Sequence, residues 1–212
     1  ALSIATRKNI ALPSKDLAFL PVDSPEGKDY IRDMNFALAY ARENRRQIMD
    51  RFMAAVTSVF RNVHFEDPVN IHHNYAVLER HFGRDVWVHR KGATSARAGE
   101  TGIIPGSMGT PSFIVKGLGN PESFLSCSHG AGRVMGRKEA SRTLSPAECD
   151  RAMGDVVFDR WSKAKRGKGK SKGEFDLGEA PQAYKDIESV IESELDLIRP
   201  IVKLRPLAVV KG

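Results

Sequence analysis

Apolar residues return at three- and four-residue steps through Ile31, Met34, Leu38, Ala41, Ile48, Phe52, Val56 and Val59. That spacing predicts one amphipathic helix of roughly 30 residues starting near Asp29. Arg45 fills a gap in the stripe, either reaching outward or serving a site. Arg42, Glu43, Arg46 and Asp50 read as solvated surface. Ahead of the helix, two prolines, the run Leu17-Ala-Phe-Leu20 and the turn signal Ser24-Pro-Glu-Gly27 predict an irregular lead-in with room for one strand.

Further on, His73 to His81 predicts a shorter helix stopped by Gly83, followed by a strand at Val86-Trp-Val88. Seven glycines between Gly92 and Gly119 surround a strand at Ser112-Phe-Ile-Val115. Glycine-rich chain after short strands can approach a ligand closely. Ser123 to Cys127 predicts another strand, running into His129-Gly-Ala-Gly-Arg133 and a helical start. Backbone N–H groups at such a passage suit phosphate oxygens.

Ser145-Pro-Ala-Glu148 combines an N-cap serine, a proline at the first helical position and an acid two residues later, predicting a helix to about Arg160. Ile187, Val190, Ile191, Leu195 and Ile198 predict a last helix ended by Pro200. Ile201–Leu204 and Leu207–Val210 then read as paired or neighbouring strands. Helices and strands are thus both predicted along the chain.

A length of 212 residues with 41% hydrophobic residues allows one large or two small domains and excludes a wholly disordered or fibrous chain. The formal net charge of +7 is local in origin: Lys163-Ala-Lys-Arg-Gly-Lys-Gly-Lys-Ser-Lys172 holds five lysines and one arginine, or +6, leaving +1 for the rest. This 163–172 basic loop fits RNA phosphates and, equally, a solvated surface. Cys127 and Cys149 are the only cysteines; they can pair, but they form neither a disulfide framework nor a structural zinc pattern. With no apolar run of membrane-spanning length and no export-type start, no membrane association and a cytoplasmic location are the expectations. The first residue is Ala1, consistent with a processed, split or partial chain.

Chemistry gathers at a few positions. His72-His-Asn74 offers imidazole beside an amide, a useful pairing near a metal and a nucleotide, although one histidine makes no metal site. His129 precedes Gly130-Ala-Gly132 and Arg133: a neutral imidazole can attack phosphorus while glycine backbone and arginine offset phosphate charge. A glycine turn beside an incidental histidine fits the same residues. Pro105-Gly-Ser-Met-Gly-Thr110 is a second glycine-rich cradle or an ordinary tight turn, and it lacks the Gly-Lys-Ser/Thr ending of a Walker loop. His89-Arg-Lys-Gly-Ala-Thr94 concentrates positive charge, Tyr184 can stack on a base or on the core, and Lys211 can reach a guanine carbonyl.

Taken in order, His72-His-Asn-Tyr-Ala76, Val88-His-Arg-Lys-Gly-Ala-Thr94, Ile104-Pro-Gly-Ser-Met-Gly-Thr110, Ser126 to Arg133, Glu179-Ala-Pro-Gln-Ala-Tyr184 and Val209-Val-Lys-Gly212 closely resemble the RtcB-type RNA-splicing ligase family, from about residue 12 to the end. The resemblance implies an α/β fold with mixed sheets and flanking helices, and an RNA ligase that depends on GTP and Mn2+ and acts in tRNA processing or RNA repair. It joins RNA ending in a 2′,3′-cyclic phosphate or 3′-phosphate to RNA bearing a 5′-hydroxyl, through GMP carried on His129. It further implies that His73 binds manganese and that Asn74, Pro105, Gly106, Ser107, Met108 and Ser112 line the nucleotide site. Gly130, Ala131 and Gly132 would surround its phosphate, and Tyr184 and Lys211 would recognise guanine.

The family's amino-terminal half, with its metal-binding aspartate, cysteine and further histidines, has no counterpart in this sequence. Residues 1–212 therefore read as the carboxy-terminal portion of a catalytic domain, with the missing amino-terminal portion of the ligase as an implied partner. A noncatalytic RNA-binding fragment is the alternative, resting on the lysine-rich tract.

Overall fold

The computed structural model describes residues 1–162 and 175–210, so the Lys163–Lys172 tract and Lys211 lie outside the described residues. The chain divides into two compact units, Ala1–Asn70 and Ile71–Gly212. Among the described residues no helix is long and apolar enough to cross a membrane.

The first unit contains α1 (Leu2–Arg7) and the long α2 (Pro25–Val59). The lead-in holds α1 and a short 3-10 turn where one strand was expected. Ser24-Pro-Glu-Gly27 is the start of α2 rather than a turn. Pro25 fills the first position, where its missing N–H costs nothing, and the Ser24 hydroxyl accepts from the Gly27 N–H at 3.1 Å. Arg46 lies between Glu43 and Asp50 at 2.6 and 2.5 Å, a solvated ion-pair ladder. Arg45 reaches Asn70, donating from Nε to Oδ1 at 2.7 Å. The apolar stripe is only partly covered: Ile31, Met34, Leu38 and Ala41 are half-buried, whereas Ile48, Phe52 and Val59 are exposed.

The second unit opens with an antiparallel hairpin, β1 (Asn74–His81) and β2 (Arg84–Lys91). The helix predicted at His73–His81 is therefore a strand. Its side chains misled because Glu79 and His81 point inward with Arg90 while Leu78 is exposed, so the usual apolar alternation is absent. Phe82 and Gly83, with φ of 50° and 76°, close the hairpin, a left-handed pair that suits the strand twist.

β3 (Ala93–Ser95) pairs antiparallel with β6 (Ser126–Ser128), and β4 (Thr101–Pro105), β5 (Ser112–Gly117) and β8 (Ile198–Leu204) form a three-stranded antiparallel sheet in the order β4-β5-β8. β7 (Val157–Phe158) and β9 (Ala208–Val209) pair in parallel. The short helices are α3 (Arg137–Thr143), α4 (Pro146–Met153) and α5 (Ile187–Glu192). The α/β class with mixed sheets and flanking helices is thus observed.

Several boundaries shift for local reasons. Ser145 caps α4 as expected, its hydroxyl accepting from the Glu148 N–H, but the helix ends at Met153 because Gly154 turns the chain at φ 53°. Asp186 caps α5, which stops at Glu192; Leu195 and Ile198 lie beyond it. Pro200 sits inside β8 instead of ending a helix. It lies opposite Val115 beside a register shift, on an edge strand where a missing N–H is tolerated. The two strands predicted at the carboxy-terminal end do not pair with each other: β8 joins β5 and β9 joins β7.

Two cores result. The larger gathers Ile104, Phe113 and Val115 with Ile187, Ile191 and Ile198, and includes Cys127 and Ala131; the smaller centres on Cys149, Met153, Trp161 and Leu177. Cys127 and Cys149 occupy different cores and are free thiols, so the pairing left open by the sequence does not occur.

Candidate functional site

His129 follows directly on β6, and its N–H donates to the Gly92 carbonyl at 3.3 Å, continuing the β3–β6 ladder by one step. The His73 ring, just ahead of β1, stands 5.2 Å from the His129 ring, centroid to centroid, at 61°. Burial first, and the neighbouring His73 second, hold the His129 imidazole below the usual histidine range, which favours the neutral ring. Its Nδ1 is buried and has no hydrogen-bond partner among the described residues. A neutral imidazole with a ring nitrogen that no neighbour holds is suited to nucleophilic attack.

The turn that joins β4 to β5 packs beside this histidine. Ala131 donates its N–H to the Pro105 carbonyl at 2.9 Å, and a Cβ at Gly130 would come within 3.1 Å of the same oxygen. A Cβ at Gly106 would lie 2.2 Å from the Pro111 carbonyl oxygen. Chain packing thus requires glycine at 106 and leaves little room at 130. Ser107 is held by Thr110: its N–H donates to the Thr110 hydroxyl at 2.7 Å and the two hydroxyls are 2.8 Å apart. Ser112 opens β5 opposite Pro105. Met108 packs against the smaller core, and Asn74, exposed at the start of β1, lies opposite Lys91.

On the far side of the glycine run, Gly132 takes φ 73° and its carbonyl accepts from Lys185 N–H at 3.0 Å. Arg133, expected to offset phosphate charge, is engaged by protein groups. It lies over the Tyr184 ring at 4.7 Å, donates to the Tyr184 hydroxyl at 2.9 Å and to the Met135 carbonyl at 2.9 Å, and also bonds the Gly178 carbonyl. The Tyr184 hydroxyl donates in turn to Glu179, which also accepts from Arg137 Nε at 2.7 Å. Burial, then this bond to Glu179, pushes the Tyr184 phenol up.

The structure therefore brings His73, Pro105, Gly130, Ala131, Gly132 and Tyr184 around or beside the loop of His129. It does not show a contact from Asn74 or Met108 to that ring. Thr110 and Gly92 lie in segments the sequence singles out, but only the structure gives them a role, Thr110 holding Ser107 and Gly92 accepting from His129. Among the described residues no three His, Cys, Asp or Glu side chains come together to hold a metal. His73 is one ligand without a set, so these residues do not by themselves fit a manganese ion.

The family model described as tRNA-splicing ligase RtcB matches residues 2–212. The chain belongs to the RtcB family. An RNA-splicing ligase RtcB of Escherichia coli is 41% identical over 207 residues, covering 95% of this chain and 48% of the relative. The Mycobacterium tuberculosis RNA-splicing ligase RtcB is 37% identical over 97% of the chain and 50% of the relative. A tRNA-splicing ligase RtcB from Pyrobaculum aerophilum is 35% identical over 95% and 45%. The chain spans about half the length of the curated relatives it matches. Its α/β architecture is that of a portion of the RtcB fold.

Proposed function

We propose that this RtcB-family chain is the carboxy-terminal portion of a GTP-dependent RNA ligase and that His129 is the residue that carries GMP. The observation that supports this most directly is the His129 ring itself, with its buried Nδ1 unpartnered among the described residues, 5.2 Å from the His73 ring and beside a loop packed onto Pro105. In the first step a ring nitrogen attacks the α-phosphorus of GTP, the bond to the bridging oxygen breaks and pyrophosphate leaves. After a cyclic phosphate has been opened by water to a 3′-phosphate, an oxygen of that phosphate attacks the phosphorus on His129. The nitrogen–phosphorus bond breaks and the RNA end is capped with guanylate. The 5′-hydroxyl of the second RNA then attacks the 3′-phosphorus, and GMP departs as the phosphodiester forms.

On this reading Asn74, Pro105, Gly106, Ser107, Met108, Ser112 and Gly130 to Gly132 receive the nucleotide, with Tyr184 and Lys211 toward the guanine. His73 serves manganese together with ligands from an amino-terminal portion. Manganese would supply charge for the reacting phosphates. Ligation then requires both portions.

The test uses labelled GTP and manganese with the 212-residue chain alone and after combination with an amino-terminal portion from an RtcB relative. The expected result is a covalent GMP adduct in the combined protein that is lost in His129→Ala. Absence of an adduct from both preparations overturns the assignment of His129 and favours a noncatalytic RNA-binding fragment. Ligation by the rigorously purified chain alone overturns the requirement for a second portion.

A further inference from the structure

Ser128, the last residue of β6, is gripped by Glu194. Its backbone N–H lies 3.0 and 3.2 Å from the two carboxylate oxygens, and its hydroxyl donates to one of them at 3.1 Å. In an antiparallel ladder alternate residues turn their N–H groups to opposite edges. β6 has β3 on one edge only among the described residues, and Ser128 directs its N–H to the other. The Glu194 carboxylate therefore stands where a third strand would be. It fixes both the backbone and the side chain of the residue before His129.

Glu194 is itself tightly placed. Its N–H donates to Ile191, and its carbonyl accepts from Leu197 and Ile198 at 2.8 and 2.9 Å. Ile191 and Ile198 are buried in the same core as Cys127, which precedes Ser128. The turn between α5 and β8 is thus a short arm rooted in the core, with its carboxylate reaching the end of β6. On the other edge, the bond from His129 N–H to Gly92 is long, at 3.3 Å. At this strand end both bonds from the Ser128 N–H to Glu194 are shorter than the bond from His129 to Gly92.

We infer that Glu194 is a positioning residue for His129, orienting the imidazole for attack on phosphorus by clamping Ser128. The inference rests on the reading of His129 as the guanylated residue. Glu194 does not touch the reacting atoms. Displacement of a nucleophile by about 1 Å can cost on the order of a hundredfold in rate, so a clamp on the adjacent residue has ample leverage.

The experiment is single-turnover GMP-adduct formation in the combined two-portion protein, with the thermal midpoint and the adduct amplitude recorded for each variant. In Glu194→Ala the rate constant at saturating GTP is expected to fall about tenfold or more, while half-saturation by GTP changes less than about twofold. Glu194→Gln should recover most of that rate. Its carbonyl oxygen accepts from the Ser128 N–H, and its amide donates to the Ser128 hydroxyl. Loss of fold alone would lower the amplitude and the midpoint and leave the rate constant of the remaining folded fraction unchanged. An unchanged rate constant in Glu194→Ala, or a Gln variant as slow as the Ala variant, overturns the inference while His129 still takes GMP. No adduct in the unsubstituted protein removes the reading of His129 and this inference together.

Discussion

Arg90 and Glu79 meet in a two-point ion pair on the inner face of the β1–β2 hairpin, with Nη1 to Oε1 at 3.0 Å and Nη2 to Oε2 at 2.9 Å. The Arg90 side chain is 1% exposed and that of Glu79 7%. Arg90 also donates to the Ser126 hydroxyl and to the Phe124 carbonyl, so the same guanidinium ties the hairpin to the start of the strand that ends at His129. His81 and Arg97 complete the surroundings of the carboxylate.

Removing one side of this pair leaves the other buried and uncompensated. Arg90→Ala is expected to lower stability by about 3–5 kcal/mol, as for other broken buried pairs. Urea unfolding of the chain measures the loss. A decrease below about 1 kcal/mol would place the pair with surface salt bridges, which contribute little.

Acid should release the same network. Burial opposes ionisation of Glu79, but the bonds from Arg90 and His81 and the charges of Arg90 and Arg97 outweigh it and hold the carboxyl down to about 2, against 4.5 ordinarily. A folded-state pKa below the unfolded value contributes stability that is present above about 4.5 and is lost as pH falls toward 2. Thermal midpoints across that range should fall more steeply in the unsubstituted chain than in Glu79→Gln. Parallel curves would remove Glu79 as the titrating group.

The Pro105–Ser112 turn has no room for a side chain at Gly106, where a Cβ would lie 2.2 Å from the Pro111 carbonyl oxygen. Gly106→Ala must move backbone and should destabilise by about 1–3 kcal/mol. It should also slow GMP-adduct formation, because Pro105 holds Ala131 two residues from His129. An alanine variant with unchanged unfolding and unchanged adduct rate would contradict the packing account.

Neither cysteine should react in the folded chain. Both are buried, and burial with the nearby Glu194 and Glu100 carboxylates pushes the Cys127 thiol up to about 12. A disulfide-exchange reagent at pH near 8 should label no thiol before unfolding and both after it. Rapid labelling of Cys127 in the folded protein would show that the core beneath His129 opens readily.

The β1–β2 hairpin carries a pattern that local sequence does not resolve. His73–His81 looked helical because its outward positions include Leu78 and its inward ones include Glu79 and His81, the reverse of an ordinary half-buried strand. A buried charge is intelligible only once its partner is known, and Arg90 arrives from the other strand. Pro200 resembles a helix stop for a similar reason. Its place in an edge strand depends on β5 lying on one side only.

The long α2 helix, the Ser145 cap, the strand at Ser112–Val115 and the family were all determined by the sequence alone, since each rests on residues near one another in the chain or on motifs met in order. His73 and His129 could be named there but not joined, being separated by 56 positions (129 − 73). Only the tertiary structure sets their rings 5.2 Å apart and places Glu194 against Ser128. Local propensity is written in neighbouring residues, whereas the geometry of a site depends on which distant strands and turns the buried core holds together.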